Sequence, residues 1–391
     1  PKAQGAASAA VAASESGRVD KNGIMLMDDW LGEAPEFSDA DIDEELSCDI
    51  IVVGGGVAGV AAARAAAEDG SKVILFEKCS DLQSRNGEYA IIGSQFYKEH
   101  WDRDNLDIKM DVVDELMRVS CNRANQRLLN KWADHSGEAF DWFIAASPDI
   151  NVFPTSTTLP PDGVTEWIQP RNLPAPEHYS LEREHWKCFF TCTSQFAPNQ
   201  GFAFKNHAAK AMETGNLDVR LKCPVKKLLR DGDGPVAGVI AKEFGGKTYK
   251  ATASKAVILC AGDYASNKNM LNYYNPWLHY NADPIYTSID PEGNMANTGD
   301  GDIMAMWIGA KMEEGPHAAQ THNEGGALGV TAFFEADFHG HRIGNEDVPA
   351  QEIDNRLHSL YKCGAYQIFD AKWVDECPYL APSHVQISTI C

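Results

Sequence analysis

No stretch of this chain approaches the roughly 20 consecutive apolar residues that a membrane-spanning helix needs. The longest candidate, Cys48 to Ala67, is broken by glycines and by Arg64. Basic residues are scarce: 34 Lys and Arg stand against 56 Asp and Glu, a formal net charge of -22. A surface of that sign repels nucleic acid and anionic membrane, so neither is an expected partner. An anionic substrate would need a local positive pocket, and the acidity also suits an exported protein kept soluble by its charge. Cys-x-x-Cys is missing, and so is Cys-x-x-Cys-His, which excludes the usual c-type haem attachment. The nearest cysteine pair is Cys188-x-x-x-Cys192. A chain of 391 residues can build a real core, so its ten cysteines are not expected to form a disulfide framework. Scattered thiols suit an anaerobic or reducing setting and leave room for an iron–sulfur cluster. No metal site is assigned to particular residues.

Large apolar side chains are nearly absent from residues 1–18, which are rich in Ala, Ser and Gly, and an acidic run spans Asp39 to Glu45. Residues 1–45 are therefore expected to form a flexible linker. The stretch begins at Pro1 and resembles the segment after an export or lipoprotein cleavage site; an arbitrary chain boundary explains it equally. From Asp49 the pattern becomes strand, turn, helix, strand. Ile50 to Val53 is a continuous apolar run, as in a parallel strand buried on both faces. Val60 to Glu68 is an alanine-rich helix stopped at Asp69-Gly70, and Lys72 to Glu77 is a second strand. Residues 105–146 are expected to be mostly helical, with Leu116, Leu128, Leu129, Trp132, Phe140, Trp142 and Phe143 in the core. Residues 148–200, rich in proline and aromatics, read as irregular. A helix follows at Phe202 to Glu213, then strands at 218–221, 225–229, 236–242, 247–251 and 256–260, with a hairpin-type turn at Asp231-Gly232-Asp233-Gly234. No internal repeat is present.

The chemistry begins with Gly54-x-Gly56-x-x-Gly59, placed between a buried strand and a helix. Gly54 permits the tight turn, Gly56 lets backbone approach a pyrophosphate, and Gly59 lets the helix pack on the strand. The helix N-terminus then faces the negative charge. Glu77 ends the second strand, where a carboxylate can accept hydrogen bonds from ribose hydroxyls. A lone glycine motif is weak, but strand, turn, helix, strand and terminal acid agree here on dinucleotide binding. The motif alone does not separate FAD from NAD.

Later segments do. Asp49 to Lys78 resembles the opening of the fumarate reductase/succinate dehydrogenase flavoprotein family. Asn86-Gly87-x-x-Ala90-x-x-Gly93 resembles its next flavin-contacting loop, and Lys255 to Tyr264, containing Ala261-Gly262, resembles its Ala-Thr-Gly-Gly strand and turn. Thr298-Gly299-Asp300-Gly301 is similar to its Thr-Gly-Asp-Gly, and Gly340 to Glu346 to its Gly-x-Arg-Phe-x-Asn-Glu. The resemblance implies FAD contacts from Gly54, Gly55, Gly56, Ala58, Gly59, Glu77, Lys78, Asn86, Gly87, Ala90, Gly93, Val225, Ala261, Gly262 and Asp300. Val225 would contribute backbone near the adenine. For Asp300 a turn or N-cap aspartate is the plainer reading. Ser84-Arg85 and Ile92 stand where the family has glycines, so the loop is reshaped. No His-Thr-Gly-Gly follows Glu77, which implies non-covalent FAD.

The catalytic region departs further from the family. Glu324 fits the position of a family proton-relay Glu, but its arginine partner is Ala327, and Ala350 stands where a second arginine belongs. Arg356 could substitute only with an insertion. A dicarboxylate site without those arginines would leave charge unpaired, so fumarate is not the expected substrate. Polarising a carbonyl conjugated to an alkene is work for Tyr, His or backbone donors. The candidates are Tyr280, Tyr286, His317 and Glu324, against the plainer readings of each tyrosine as a core or cap aromatic and of His317 as an ordinary loop histidine. Arg342 and Glu346 read as a structural pair.

The expected architecture is α/β: a Rossmann-like FAD-binding domain over 46–312, its parallel sheet flanked by helices and carrying antiparallel strands. Part of an α+β capping domain follows over 313–391. Family members continue through the cap and return with an Ala-x-Gly-Glu segment that this sequence does not show, so a fragment is expected. The resemblance implies an exported, extracytoplasmic or membrane-associated FAD oxidoreductase that reduces an activated C=C bond. Its substrate would be an enoate, unsaturated lactone or steroid-like enone such as a cardiac glycoside. Electrons would come from a separate donor such as a membrane cytochrome. A ketosteroid-type dehydrogenase and a flavin electron-transfer protein without its own small-molecule chemistry are the alternatives.

Overall fold

The computed structural model describes residues 28–84, 89–101, 108–154, 160–173, 189–276, 288–317, 333–346, 353, 356–357 and 359–376. The chain gathers into two compact units, Pro1–Asn86 with Gly201–His317, and Gly87–Gln200 with Ala318–Cys391. Each is discontinuous in sequence, so the grouping cuts across the continuous span 46–312 expected above.

The first unit contains β1 (Glu44–Val53), α1 (Val57–Glu68), β2 (Val73–Phe76), α2 (Gly201–Glu213), β3 (Leu217–Arg220), β4 (Val225–Arg230), β5 (Val236–Lys242), β6 (Thr248–Leu259), α3 (Lys268–Tyr274) and α4 (Asp300–Trp307). Its six-stranded sheet runs β3-β2-β1-β6-β5-β4. The first four strands are parallel, and β5 and β4 are added antiparallel. Side chains alternate across the sheet as a period of two requires. Val52, Val73 and Leu75 pack with Val60 and Ala63 of α1 and Phe204 and Ala208 of α2, whereas Ile51, Val53, Ile74 and Phe76 pack with Met304 of α4. Helices thus cover both faces, the doubly wound arrangement expected from the sequence.

Burial along β1 follows its neighbours. Up to Asp49 the strand pairs only with β6; from Ile50 it gains β2 on the other edge, and Ile51 and Val52 are fully buried. Two expected strands, 247–251 and 256–260, prove to be the single strand β6. Thr252 and Ala253 keep pairing with Ser47 and Cys48, and the polar step beyond them is absorbed by a register shift and by Ser254 Oγ donating to Asp49 Oδ1 at 2.9 Å. The helix pair α1/α2 buries Arg64, whose Nε lies 2.7 Å from Glu68 Oε1 and whose Nη1 lies 2.8 Å from Nδ1 of buried His207. Burial, and then the Arg64 charge, push the His207 imidazole down to about 4, so neutral Nδ1 accepts from the guanidinium.

Residues 28–43 do not behave as the flexible linker expected from their acidity. Asp28–Leu31 forms a 3-10 turn, and Trp30 stands edge-on to Tyr273 and Tyr274, each at 5.9 Å. Trp307 Nε1 donates to Leu31 O at 3.0 Å, and Ser38 with Asp41 closes a capping box. Aromatic contacts anchor what composition alone reads as loose.

In the second unit, helices Gln95–Trp101, Lys109–Val119 and Gln126–Ile144 accompany a four-stranded sheet of Tyr89–Ala90, Phe189–Ala197, Trp167–Leu173 and Asn151–Val152, in that spatial order. Residues 148–200 therefore carry ladder structure that the sequence reading missed. The helix Gln126–Ile144 buries Ala133, Gly137, Phe140, Phe143 and Ile144. Leu128 (64% exposed) and Trp132 (37%) lie off that stripe and are not core, contrary to expectation. A second sheet pairs Phe334–Ala336 with Tyr366–Ile368. Among the described residues no helix is long and apolar enough to cross a membrane.

Candidate functional site

The chain leaves β1 through Gly54 at φ +101°, and a Cβ there would stand 2.3 Å from Cys260 O. A Cβ on Gly59 would stand 1.8 Å from Gly54 O, so the first turn of α1 rests directly on the turn before it. On Gly55 it would strike the Leu82 side chain at 2.5 Å. Gly56 differs, because its Cβ would meet nothing nearer than Gln83 O at 3.9 Å. Gly54 and Gly59 are demanded by backbone packing, Gly55 is opposed only by side chains, and Gly56 leaves clear room over the helix start. Gly56 is also the N-cap residue of α1, and no side chain caps the helix. The first-turn amides, including that of Ala58, carry the positive end of the helix dipole without a competing carboxylate.

Glu77 follows β2. Gly55 N–H donates to its Oε2 at 2.5 Å and Cys79 N–H to its Oε1 at 2.6 Å. A carboxylate offers about four acceptor positions, so two backbone bonds leave room for two hydroxyl donors. The backbone beside it is fixed too: Glu77 N–H donates to Arg220 O and Cys223 N–H to Glu77 O, both at 2.8 Å. This carries buried Val225, the first residue of β4, to the same edge.

On the other flank, Cys260 N–H donates to Val53 O at 2.8 Å, and the chain turns through Ala261 and Gly262, the latter at φ +80°. Gly299 N–H donates to Asp263 O at 3.1 Å, and a Cβ on Gly301 would lie 2.7 Å from Ala261 Cβ, so α4 begins against this turn. Asp300 is the first helical residue after the Gly299 N-cap, so it is not the N-cap aspartate of the plainer reading. Thr298 Oγ1 donates to its Oδ1 at 2.6 Å, and Lys78 Nζ donates to its Oδ2 at 2.9 Å. Lys78 also reaches Thr298 Oγ1 at 3.0 Å and Ala296 O at 3.2 Å. Its ammonium is committed to residues 296–300.

The residues present fit a dinucleotide. An uncapped helix start with open space above Gly56 suits a pyrophosphate, and Glu77 retains acceptor capacity for ribose hydroxyls.

Of the remaining expected site residues, Asn86, Gly87, Tyr280, Tyr286 and Glu324 lie outside the described residues. Ala90 and Gly93 belong to the second unit, where Ala90 pairs with Thr193 and Gly93 has φ +75°. His317 is fixed at both ring nitrogens: Nδ1 lies 2.5 Å from Tyr264 Oη and Nε2 lies 2.8 Å from Glu313 O. Its ring stacks on Tyr274 at 4.3 Å and 13°. The cluster of His317 with Tyr264 and Asn275 carries no sequence signal, because His317 meets Tyr264, 53 residues away, only after folding.

In the second unit, Arg342 Nε donates to Glu346 Oε1 at 3.1 Å and its Nη2 binds Oε2, the structural pair expected. Arg356 Nη1 donates to Asn345 O. Glu335, 2% exposed, faces the same acid; burial first, then Glu346, push its carboxyl up to about 7, with Arg356 opposing. Among the described residues, no group of three or more His, Cys, Asp or Glu could hold a metal ion. Free thiols there are Cys48, Cys79, Cys121, Cys223 and Cys260. Burial pushes those of Cys79 and Cys223 up to about 12, so they are inert rather than nucleophilic.

The family described as FAD binding domain matches residues 49–326. Digoxin reductase of Eggerthella lenta is 25% identical over 288 residues, covering 70% of this chain and 46% of that protein. Urocanate reductase of the same organism is 30% identical over 310 residues, covering 76% of this chain and 44% of that protein. The chain thus spans less than half the length of these two relatives. Among solved structures, 3-ketosteroid-delta4-(5alpha)-dehydrogenase from Rhodococcus jostii superposes with a TM-score of 0.64 at 18% identity, covering 88% of this chain and 70% of that one, a likeness of fold.

Proposed function

The chain belongs to the FAD-binding-domain family, and from that premise we propose that it carries the flavin of an oxidoreductase that reduces an activated carbon–carbon double bond. The observation that carries this reading is the pairing of the open Gly56 helix start with Glu77, the two contacts an adenosine diphosphate moiety requires. FAD bound there would supply hydride to the β-carbon of an alkene conjugated to a carbonyl. The backbone of α1 would hold the pyrophosphate and Glu77 the ribose, while Asp300, braced by Lys78, would fix the start of α4 beside the cofactor. The segment after Glu77 is Lys78-Cys79-Ser80-Asp81, without histidine, in keeping with non-covalent flavin. His317 would hydrogen-bond the substrate and Glu324 would relay the proton to the α-carbon.

Ala327 and Ala350, in place of two arginines, favour a neutral or bulky acceptor over a dicarboxylate. The resemblance to digoxin reductase and urocanate reductase supports reduction as the direction of chemistry. The acidic composition and Ala/Ser-rich start support an exported protein supplied by a separate donor such as a membrane cytochrome. The test is anaerobic reoxidation of the photoreduced flavoprotein by a panel of unsaturated acids, lactones and steroid enones. Enones or lactones should reoxidise it at least tenfold faster than fumarate. Oxidation of saturated ketosteroids without any alkene reduction would replace this reading with a dehydrogenase. Reoxidation only by a protein partner would replace it with electron transfer.

A further inference from the structure

We propose that Tyr264, steadied by Asn275, is a positioning residue that fixes His317 as its Nε2–H tautomer, so that the ring offers a hydrogen-bond donor rather than a base. The direction of the network follows from one group that can only accept. His317 Nε2 lies 2.8 Å from the Glu313 carbonyl, so this nitrogen carries a proton. In the neutral ring Nδ1 is then bare, and it accepts the Tyr264 hydroxyl at 2.5 Å. Tyr264 Oη in turn accepts from Asn275 Nδ2 at 3.3 Å. Three side chains therefore pass hydrogen bonds in one sense, from Asn275 through Tyr264 to His317.

The surroundings hold that sense. Tyr264 and Asn275 are buried, and Asn275 N–H is anchored to Leu271 O at 2.7 Å. Tyr274 covers one face of the imidazole, and His317 N–H donates to Tyr274 O at 3.2 Å, so ring and backbone are clasped by the same residue. Burial, and then Tyr274, Asp302 and Asp263, push the Tyr264 hydroxyl up, which keeps its proton in place to donate. The charged groups facing the cluster are Asp302 and Asp263. The Asp302 carboxyl is itself pushed up by burial and then by Asp263, an effect that only a protonated His317 would oppose. Turning the Asn275 amide over would let it accept from Tyr264. Tyr264 would then need a proton from Nδ1, leaving the ring either cationic or with a bare Nε2 against a carbonyl. The neutral ring is compatible with only one orientation.

The consequence rests on the proposed role of His317 in the substrate site. With Nδ1 occupied by Tyr264, the ring can bond a substrate only by handing its Nε2–H over from the Glu313 carbonyl to a carbonyl or lactone oxygen, and Tyr264 sets its aim as an outer partner orients a metal-bound histidine. The proton for the reduced carbon then comes from another group.

The test is long-range proton–nitrogen NMR on histidine-labelled flavoprotein at pH 8, with His317→Gln giving the assignment. His317 should show the Nε2–H pattern, and Tyr264→Phe should shift the tautomer ratio several-fold toward a mixture. Asn275→Leu provides a second, milder route to the same loosening. An Nδ1–H pattern in the unaltered protein overturns the proposal, as does an unchanged ratio in both variants. The spectrum requires no turnover. If the tautomer is as stated but no alkene is reduced, the functional reading falls alone.

Discussion

Lys78 Nζ lies 2.9 Å from Asp300 Oδ2 although 222 residues separate them in sequence. The ion pair joins the segment just after β2 to the start of α4, both at the candidate flavin site. Both partners are partly exposed, at 21% and 39% of their side chains, so the attraction is screened and its value lies in geometry.

Lys78→Met should therefore cost little stability, about 1 kcal/mol or less after screening, yet weaken flavin retention several-fold. A double-mutant cycle with Asp300→Asn, read by flavin fluorescence on titration, checks this. Equal flavin affinity in all four proteins would show that the tie does not serve the site.

Gly56 and Gly59 should separate packing from binding. Gly59→Ala forces a Cβ toward Gly54 O, nominally 1.8 Å away, and should destabilise the fold by roughly 3 kcal/mol or more. Gly56→Ala meets nothing within 3.4 Å and should fold normally while binding FAD at least tenfold less tightly. Denaturant melts beside flavin titrations decide, and normal affinity in Gly56→Ala counts against pyrophosphate at this turn.

His207 should make the fold acid-sensitive. Its folded value is about 4 against 6.5 for the free imidazole, so the unfolded chain binds the extra proton between those limits. Stability is then fully present above pH 6.5 and falls as pH drops toward 4, by on the order of 3 kcal/mol. His207→Gln, which can still accept from Arg64, should flatten that slope in melts from pH 7 to 4.

Glu335 works in the opposite sense. Its carboxyl titrates at about 7 when folded and 4.5 when free, so the folded chain holds the extra proton between those values. Stability is lost as pH rises through that window. Glu335→Gln should be near neutral at pH 4 and stabilising at pH 8, by on the order of 3 kcal/mol. A variant no more stable than the parent at pH 8 would mean that the buried acid is already accommodated as an anion.

How much of this was legible beforehand depended on sequence distance. The run from Ile50 to Glu77 announces itself because strand, glycine turn, helix and acid lie within about thirty residues, each with a local signature. The antiparallel strands at 225–242 read cleanly for the same reason, their turn lying between them. Thr252 to Lys255 looks like a break in β6; only pairing with β1, some 200 residues earlier, carries the strand across it. Leu128 and Trp132 are apolar but stand off the helical stripe of Ala133, Gly137, Phe140, Phe143 and Ile144, so side-chain identity alone does not place them. The partners of Lys78 and His317 have no local mark at all, and their pairing is a product of the fold.

The order of strands also sets a timetable for synthesis. β1 is made before its partner β6, which follows about 205 residues later, as the Lys250–Glu45 pair shows. At ribosomal speeds of about 5 to 20 residues per second, one edge of β1 waits roughly 10 to 40 s for its neighbour. During that interval an apolar ribbon with open hydrogen-bonding groups sits near the tunnel exit, and only β2 can cover its other side. A nascent chain stalled before residue 248 should therefore be a strong client of holding chaperones, and one released after 259 a weak one.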